Sequence, residues 1–428
     1  MTRARRARVA VYRSNDEHAY LDGGVSGLLD SLPADSARAL IHVLDCPTCQ
    51  DTALAEAIEA VESRDEEKPA IHEEVEALLT ELLAIPQDQR AEAVKDPRFQ
   101  RMELLDRVLD ETAATCDIAY AAHLAALAIW LGTKTDSGDA GLRPRLVRAF
   151  CLSANARRFA GQLDAAGKDL DNASRFLSGA PEEVGLYSRM LALLRWEQGR
   201  LHDAAALLRY GAQQYGELKR RQEQGVCLAL VGLVYVDAGE MKRAPAPLLR
   251  GLTSLGDPPP SRLSAYGWLS MALALAQLGW EEEAREAREQ AWLFHVAPEE
   301  AGQAEVSWLD GRIAAALGET GEADRLLDAA RVQLLSGHRI ADAALASLDL
   351  AVLFAETGRG KEIGRLAADL EERGGQRPET SLGAETLYDY ARSKPSRGHA
   401  FEKAAVLSVS LRRAFRLSFP GLQTLPWT

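Results

Sequence analysis

Three side chains near the amino end are spaced as metal ligands are: His42, Cys46 and Cys49 form a His-x3-Cys-x2-Cys run within Ile41-His42-Val43-Leu44-Asp45-Cys46-Pro47-Thr48-Cys49. Two thiolates and an imidazole suit zinc, which in a closed structural site takes four ligands in a tetrahedron. His18, 24 residues upstream of His42, is the candidate for the fourth. A helix begun after Pro33 would end at His42, and the helix from Asp51 to Val61 would open just after Cys49, so a helix junction brings the three together. Two other readings fit the same residues. The junction can pack without metal, and zinc-free thiols close together can form a local disulfide on oxidation.

A second set of residues suits binding rather than catalysis. Arg148, Asn155, Arg158, Arg189, Trp196, Trp308 and Arg312 fall at matching offsets within three helical segments, those before Gly161, Gly199 and Gly318, with Cys151 and Leu193 between them. Guanidinium groups gathered on one surface would take a carboxylate bidentately, and the two indoles would add amphipathic contact area. An acidic peptide or tail of a protein is the partner this chemistry fits. Exposed arginines paired with neighbouring glutamates, and tryptophans used for packing, would leave the same pattern.

Enzyme signatures are missing. The chain has no glycine-rich phosphate loop, nucleophile elbow or kinase motif set. His72-Glu73 lacks the second histidine of a zinc-protease helix, and His123, His202, His295, His338 and His399 are scattered without triad spacing. The expectation is a protein that is not an enzyme.

The elements that must position these residues are helices. Of 428 residues 47% are apolar, and Ala, Leu, Glu and Arg dominate over strand formers. A glycine separating two amphipathic segments recurs at Gly161, Gly199, Gly239, Gly279, Gly318 and Gly358, at intervals of 38 to 40 residues. Five positions after the first five glycines stand Ala166, Ala204, Ala244, Ala284 and Ala323; twelve positions after them stand Ala173, Gly211, Gly251, Ala291 and Ala330. Small side chains let two helices approach closely, and glycine supplies the left-handed cap that turns the chain back. Each unit therefore reads as a helical hairpin, with Pro258, Pro259 and Pro260 in a connection where a helix must stop.

On these residues, best seen at Gly232, Tyr235, Gly239 and Ala244, the chain resembles the tetratricopeptide repeat family. The period exceeds that family's roughly 34 residues, by about one and a half helical turns. Ile363 stands where Ala is expected after Gly358, so the sixth repeat fits least well. The resemblance implies an all-α protein, an α-solenoid whose first helices line a groove for a protein partner, and a clamp for a peptide carboxylate within it.

The stretch from His18 to Ala57, with Tyr20-Leu21-Asp22-Gly23 and Pro33, resembles the zinc-binding anti-sigma factor domain. That resemblance implies a structural zinc on His18, His42, Cys46 and Cys49, and as the alternative function a transcriptional regulator that sequesters a sigma factor while the repeats act as sensor.

The expected organisation is a basic tail over residues 1–16, a small helical His/Cys module over 17–64, a helical linker over 65–97, the repeat array over 98–415 and a tail over 416–428. The linker carries Val75, Leu78, Leu79, Leu82 and Leu83 at helical spacing, then Pro86 and the turn Asp96-Pro97-Arg98-Phe99. A net charge of −13 argues against a general nucleic-acid binder. With no apolar run long enough to span a membrane or serve as an export signal, and five cysteines in no secreted pattern, a cytoplasmic adaptor or scaffold is expected.

Overall fold

The computed structural model describes residues 72–115, 117–135, 141–255, 261–294 and 303–393, with 400, 403, 404, 406–408 and 411 beyond them. The chain forms two units, Met1–Leu78 and Leu79–Thr428. Of the first unit only 72–78 are described, and they are helical. The account below concerns the second unit, which begins inside the stretch expected as a linker.

Its described residues contain helices and no strands, as the composition requires. In chain order they are α1 (Gln87–Ala93), α2 (Met102–Ala114), α3 (Ile118–Lys134), α4 (Leu142–Phe159), α5 (Leu163–Ser174), α6 (Pro181–Glu197), α7 (Leu201–Glu217), α8 (Arg221–Asp237), α9 (Pro245–Ser254), α10 (Ser261–Gln277), α11 (Glu281–Trp292), α12 (Gln303–Ala316), α13 (Thr320–Ser336), α14 (Ile340–Glu356), α15 (Gly360–Gly374) and α16 (Pro378–Arg392). The turn Pro97–Phe99 precedes α2, opened by Asp96, whose carboxylate accepts from the Arg98 N–H.

The recurring glycines do what their spacing predicts. Gly161, Gly199, Gly239, Gly279, Gly318 and Gly358 all have φ between 72° and 79°, in the left-handed region. After each, the next backbone N–H donates five residues back, as from Gln162 to Arg157 O and from Arg359 to Phe354 O, closing the helix end. The chain then reverses into the second helix of the pair. Lys219 and His338 adopt the same conformation, φ 57° and 58°, at two turns that join one hairpin to the next.

Within each hairpin the small residues sit at the contact. Ala166, Ala204, Ala244, Ala284 and Ala323 are completely buried. Gly251 of α9 lies so close to α8 that an added Cβ would stand 2.3 Å from the Ala229 nitrogen. Ile363, the departure from the pattern, is also buried, and α15 packs on α14 as the earlier second helices pack on their partners. The sixth hairpin is therefore a regular member of the stack, an apolar side chain of larger volume filling the same place.

The pairs α2–α3, α4–α5, α6–α7, α8–α9, α10–α11, α12–α13 and α14–α15 are antiparallel neighbours, and first helices also meet across repeats: α2 with α4, α4 with α6, α8 with α10, α10 with α12, and α14 with α16. Polar ties bridge the same step. Arg145 grips Asp106 with two hydrogen bonds of 2.6 Å, and Arg331 reaches Asp369. Among the described residues no helix is long and apolar enough to cross a membrane.

Candidate functional site

The row of first helices opens between α6 and α8. Helices α6 and α8 do not pack closely side by side, although α4 with α6 and α8 with α10 do. Over this gap lies a cavity of about 500 Å³, walled almost entirely by first helices: Ala113 from α2, Leu152 from α4, Leu186, Met190 and Leu193 from α6, Val226 and Leu230 from α8, and Leu263 from α10. Tyr215, from the end of α7, is the one wall residue from a second helix. Its ring reaches in because α6 carries Gly185 there: a Cβ on that glycine would stand 3.0 Å from the Tyr215 ring.

Four guanidinium groups line the cavity, and three are already neutralised. Arg148 pairs with Asp110 of α2 at 2.8 Å. Arg158, buried, pairs with Glu197 of α6 at 2.6 Å, stacks over Phe159 and donates through Nε and Nη2 to Asn155 Oδ1 at 3.1 and 3.0 Å. Arg220 at the rim pairs with Glu182 at 2.7 Å and Glu223 at 3.4 Å. Arg189 differs: it is only 8% exposed, its Nε is enclosed without a partner, and among the described residues it has no ion pair or hydrogen bond.

Three of the groups close to Arg189 are neutral. Burial pushes the Cys151 thiol up to about 12 and the Cys227 thiol up to about 11, with the nearby Arg189 charge opposing each shift. Burial likewise holds the Tyr215 phenol at about 12, again against Arg189. None of these three supplies a counter-charge near neutral pH. Asn155 gives up only its Oδ1, to Arg158, which leaves its Nδ2 donors over at the cavity wall.

The structure brings together Arg148, Asn155, Arg158, Arg189 and Leu193 of the expected groove set. Cys151 is completely buried behind them. Trp196 is elsewhere. It is fully buried between helices, and its indole N–H donates to Asp237 of α8 at 3.0 Å, so it is a packing residue and does not line the cavity. Trp308 makes the same kind of tie three repeats further along, donating to Asp349 of α14 at 2.7 Å. Arg312, 3.6 Å from the same aspartate, and Trp308 border only a recess of about 20 Å³ between α8, α10 and α12. The arginine and tryptophan set thus divides into a cavity group and a packing group, since a side chain's helix face decides which of the two it joins.

Sequence reasoning missed Tyr215, Arg220 and Val226. Tyr215 lies on a second helix, and the signal that admits it is the glycine at 185 opposite. The candidate zinc ligands His18, His42, Cys46 and Cys49 lie outside the described residues. Among the described residues no cluster of three or more His, Cys, Asp or Glu side chains is arranged to hold a metal ion.

No family model matches the chain, and no curated protein sequence matches it. Among solved structures it is similar to the Rap protein complexed with competence and sporulation factor, with a TM-score of 0.53 and 13% sequence identity, over 74% of this chain and 99% of that one. At that identity the likeness is one of fold, and it agrees with an all-helical repeat stack.

Proposed function

We propose that this chain is a non-enzymatic adaptor that holds a peptide segment of a partner protein in the cavity on its first helices. The observation that carries the reading is the gap between α6 and α8, which opens a largely apolar cavity with an uncompensated guanidinium in its wall. A volume of about 500 Å³ falls in the range of sites for small ligands and short chain segments, and is too small for a folded domain. An apolar lining with a few fixed polar groups is the composition of a binding site, whereas catalysis needs a nucleophile or base within reach of a reacting atom. The buried thiols, held protonated, are poor candidates for a nucleophile. The structurally similar Rap protein was solved with a second molecule, the competence and sporulation factor, and supports the same use of the fold here.

Selection from a random displayed peptide library tests this. Peptides enriched on the wild-type protein are expected to lose binding at least about tenfold when Leu186 or Val226, both half-buried in the wall, is changed to Trp to fill the cavity. Equal binding to the filled variants would reject the cavity as the site.

A further inference from the structure

We infer that the outer face of α11 is a second docking surface, and that it takes a helical segment of a partner protein bearing a row of Lys or Arg between two apolar residues. It is separate from the cavity, and it uses a second helix where the cavity uses first helices.

Helix α11 is packed differently from the second helices around it. Helix α7 packs on both α6 and α8, α9 on α8 and α10, and α13 on α12 and α14, whereas α11 packs closely on α10 alone. Its buried residues are Ala284, Ala287 and Ala291. Long side chains bridge the step to the next hairpin: Arg288 pairs with Asp310 of α12 at 2.6 Å and with Glu319 at 3.0 Å, and Arg285 lies 3.7 Å from Glu319. Both arginines of the helix are thus committed.

The face turned away from those alanines carries Glu282, Glu286, Glu289 and Leu293, at i, i+4, i+7 and i+11, a single stripe about 16 Å long. All four are exposed, and among the described residues the three carboxylates make no ion pair. Acids in the first turn, Glu281 to Glu283, suit the helix dipole. Glu286 and Glu289 do not; the last turn has no base, and carboxylates three and four positions apart repel one another. The stripe therefore works against the stability of the isolated helix, as surfaces kept for a partner do. Leu293, 71% exposed, is the most exposed large apolar side chain among the described residues, and Trp280, before the first turn, is exposed as well.

Charge chooses the occupant. The stripe repels nucleic acid and an anionic membrane, and a second copy of this chain, at net −13, brings more negative charge. A row of Lys or Arg is attracted instead. Laid as a helix along α11, it repeats the spacing of the three carboxylates, and its flanking apolar residues reach Leu293 and Trp280.

The test uses full-length protein at low salt and a fluorescein-labelled helical peptide of Ala and Gln, with three arginines on one face and a leucine beyond each end of the row. The combined Glu282→Gln, Glu286→Gln and Glu289→Gln variant should bind it about tenfold more weakly, and Leu293→Ser severalfold more weakly. Combining Glu356→Gln, Glu372→Gln and Glu385→Gln, at exposed positions on α14, α15 and α16, removes the same charge and should leave binding within about twofold. The α11 triple variant should keep or raise Tm, because it relieves repulsion.

No binding of the peptide by the wild-type protein would overturn the inference. Equal weakening by the two triple variants would overturn it as well, since that marks a general attraction between opposite charges. A lower Tm in the α11 triple variant would assign the carboxylates to the fold and do the same. So would sedimentation showing a wild-type dimer that Leu293→Ser makes monomeric, because a second copy would then cover the face. Binding abolished by Val226→Trp would place the peptide in the cavity, which leaves the function proposed above standing and overturns this inference alone.

Discussion

Arg158 and Glu197 form an ion pair of 2.6 Å in which the side chains are 2% and 3% exposed. They stand 39 residues apart, about one repeat, so this pair ties α4 to α6 beneath the cavity floor. Burial pushes the Arg158 guanidinium below its ordinary value, and Glu197 opposes that shift. Breaking the pair leaves a buried charge without the opposite charge that balances it. Arg158→Met or Glu197→Gln is therefore expected to destabilise the fold by about 3–5 kcal/mol, while the double change to Met at both positions should recover most of the loss. Urea unfolding of the three variants checks this, and additive losses would contradict it.

The glycines divide into two kinds with opposite expectations. Gly251→Ala drives a methyl against the backbone of Ala229 and should cost upwards of about 1–3 kcal/mol. Gly364, inside α15 with open space around it, should gain about 0.5–1 kcal/mol on change to Ala. Lys219, held at φ 57°, should gain up to about 1 kcal/mol on change to Gly. Thermal melts of the three variants give the signs directly.

The two indole ties predict a measurable local cost. Trp196→Phe removes the hydrogen bond to Asp237, and Trp308→Phe removes the one to Asp349, leaving each aspartate short of a donor. Each change should destabilise by about 1–3 kcal/mol, and the two should add, since they lie in different parts of the stack. Chemical unfolding of the single and double variants is the check.

Cys151 and Cys227 should resist alkylation in the native protein at pH 8 and label fully in denaturant, as mapped by mass spectrometry. Their folded values, about 12 and about 11, lie above the ordinary 9.0. The unfolded chain therefore releases these protons first as pH rises. Their contribution to stability is complete below about pH 9 and is lost as pH climbs from there through about 11 and 12. Replacing both by Ala should flatten that alkaline fall.

For the amino-terminal set His18, His42, Cys46 and Cys49, the ligand types and spacing support a structural zinc. Elemental analysis of purified protein is expected to find one zinc per chain, lost on Cys46→Ser. A zinc-free protein with unchanged melting would reject it.

The hairpins were legible because their requirements are local. A left-handed turn wants glycine at Gly161 and its five counterparts, and a tight helix contact wants a small residue at Ala166 and its equivalents, so the geometry leaves a periodic trace. The site was legible only in part. Arg158 and Arg189 look alike in sequence, yet Glu197, one repeat on, neutralises the first while the second is left alone. What separates them is an opposite charge about one period away: Arg145 with Asp106 and Arg331 with Asp369 follow the same rule. For Trp196 the choice between groove and packing turns on the same thing, since its partner Asp237 also lies one repeat downstream.

The most direct test of the central claim is an experimental structure of the protein with a peptide enriched on it. The account predicts the peptide lying across α4, α6 and α8, inside the cavity walled by those helices. A peptide seated on the second helices, with the cavity empty, would contradict it.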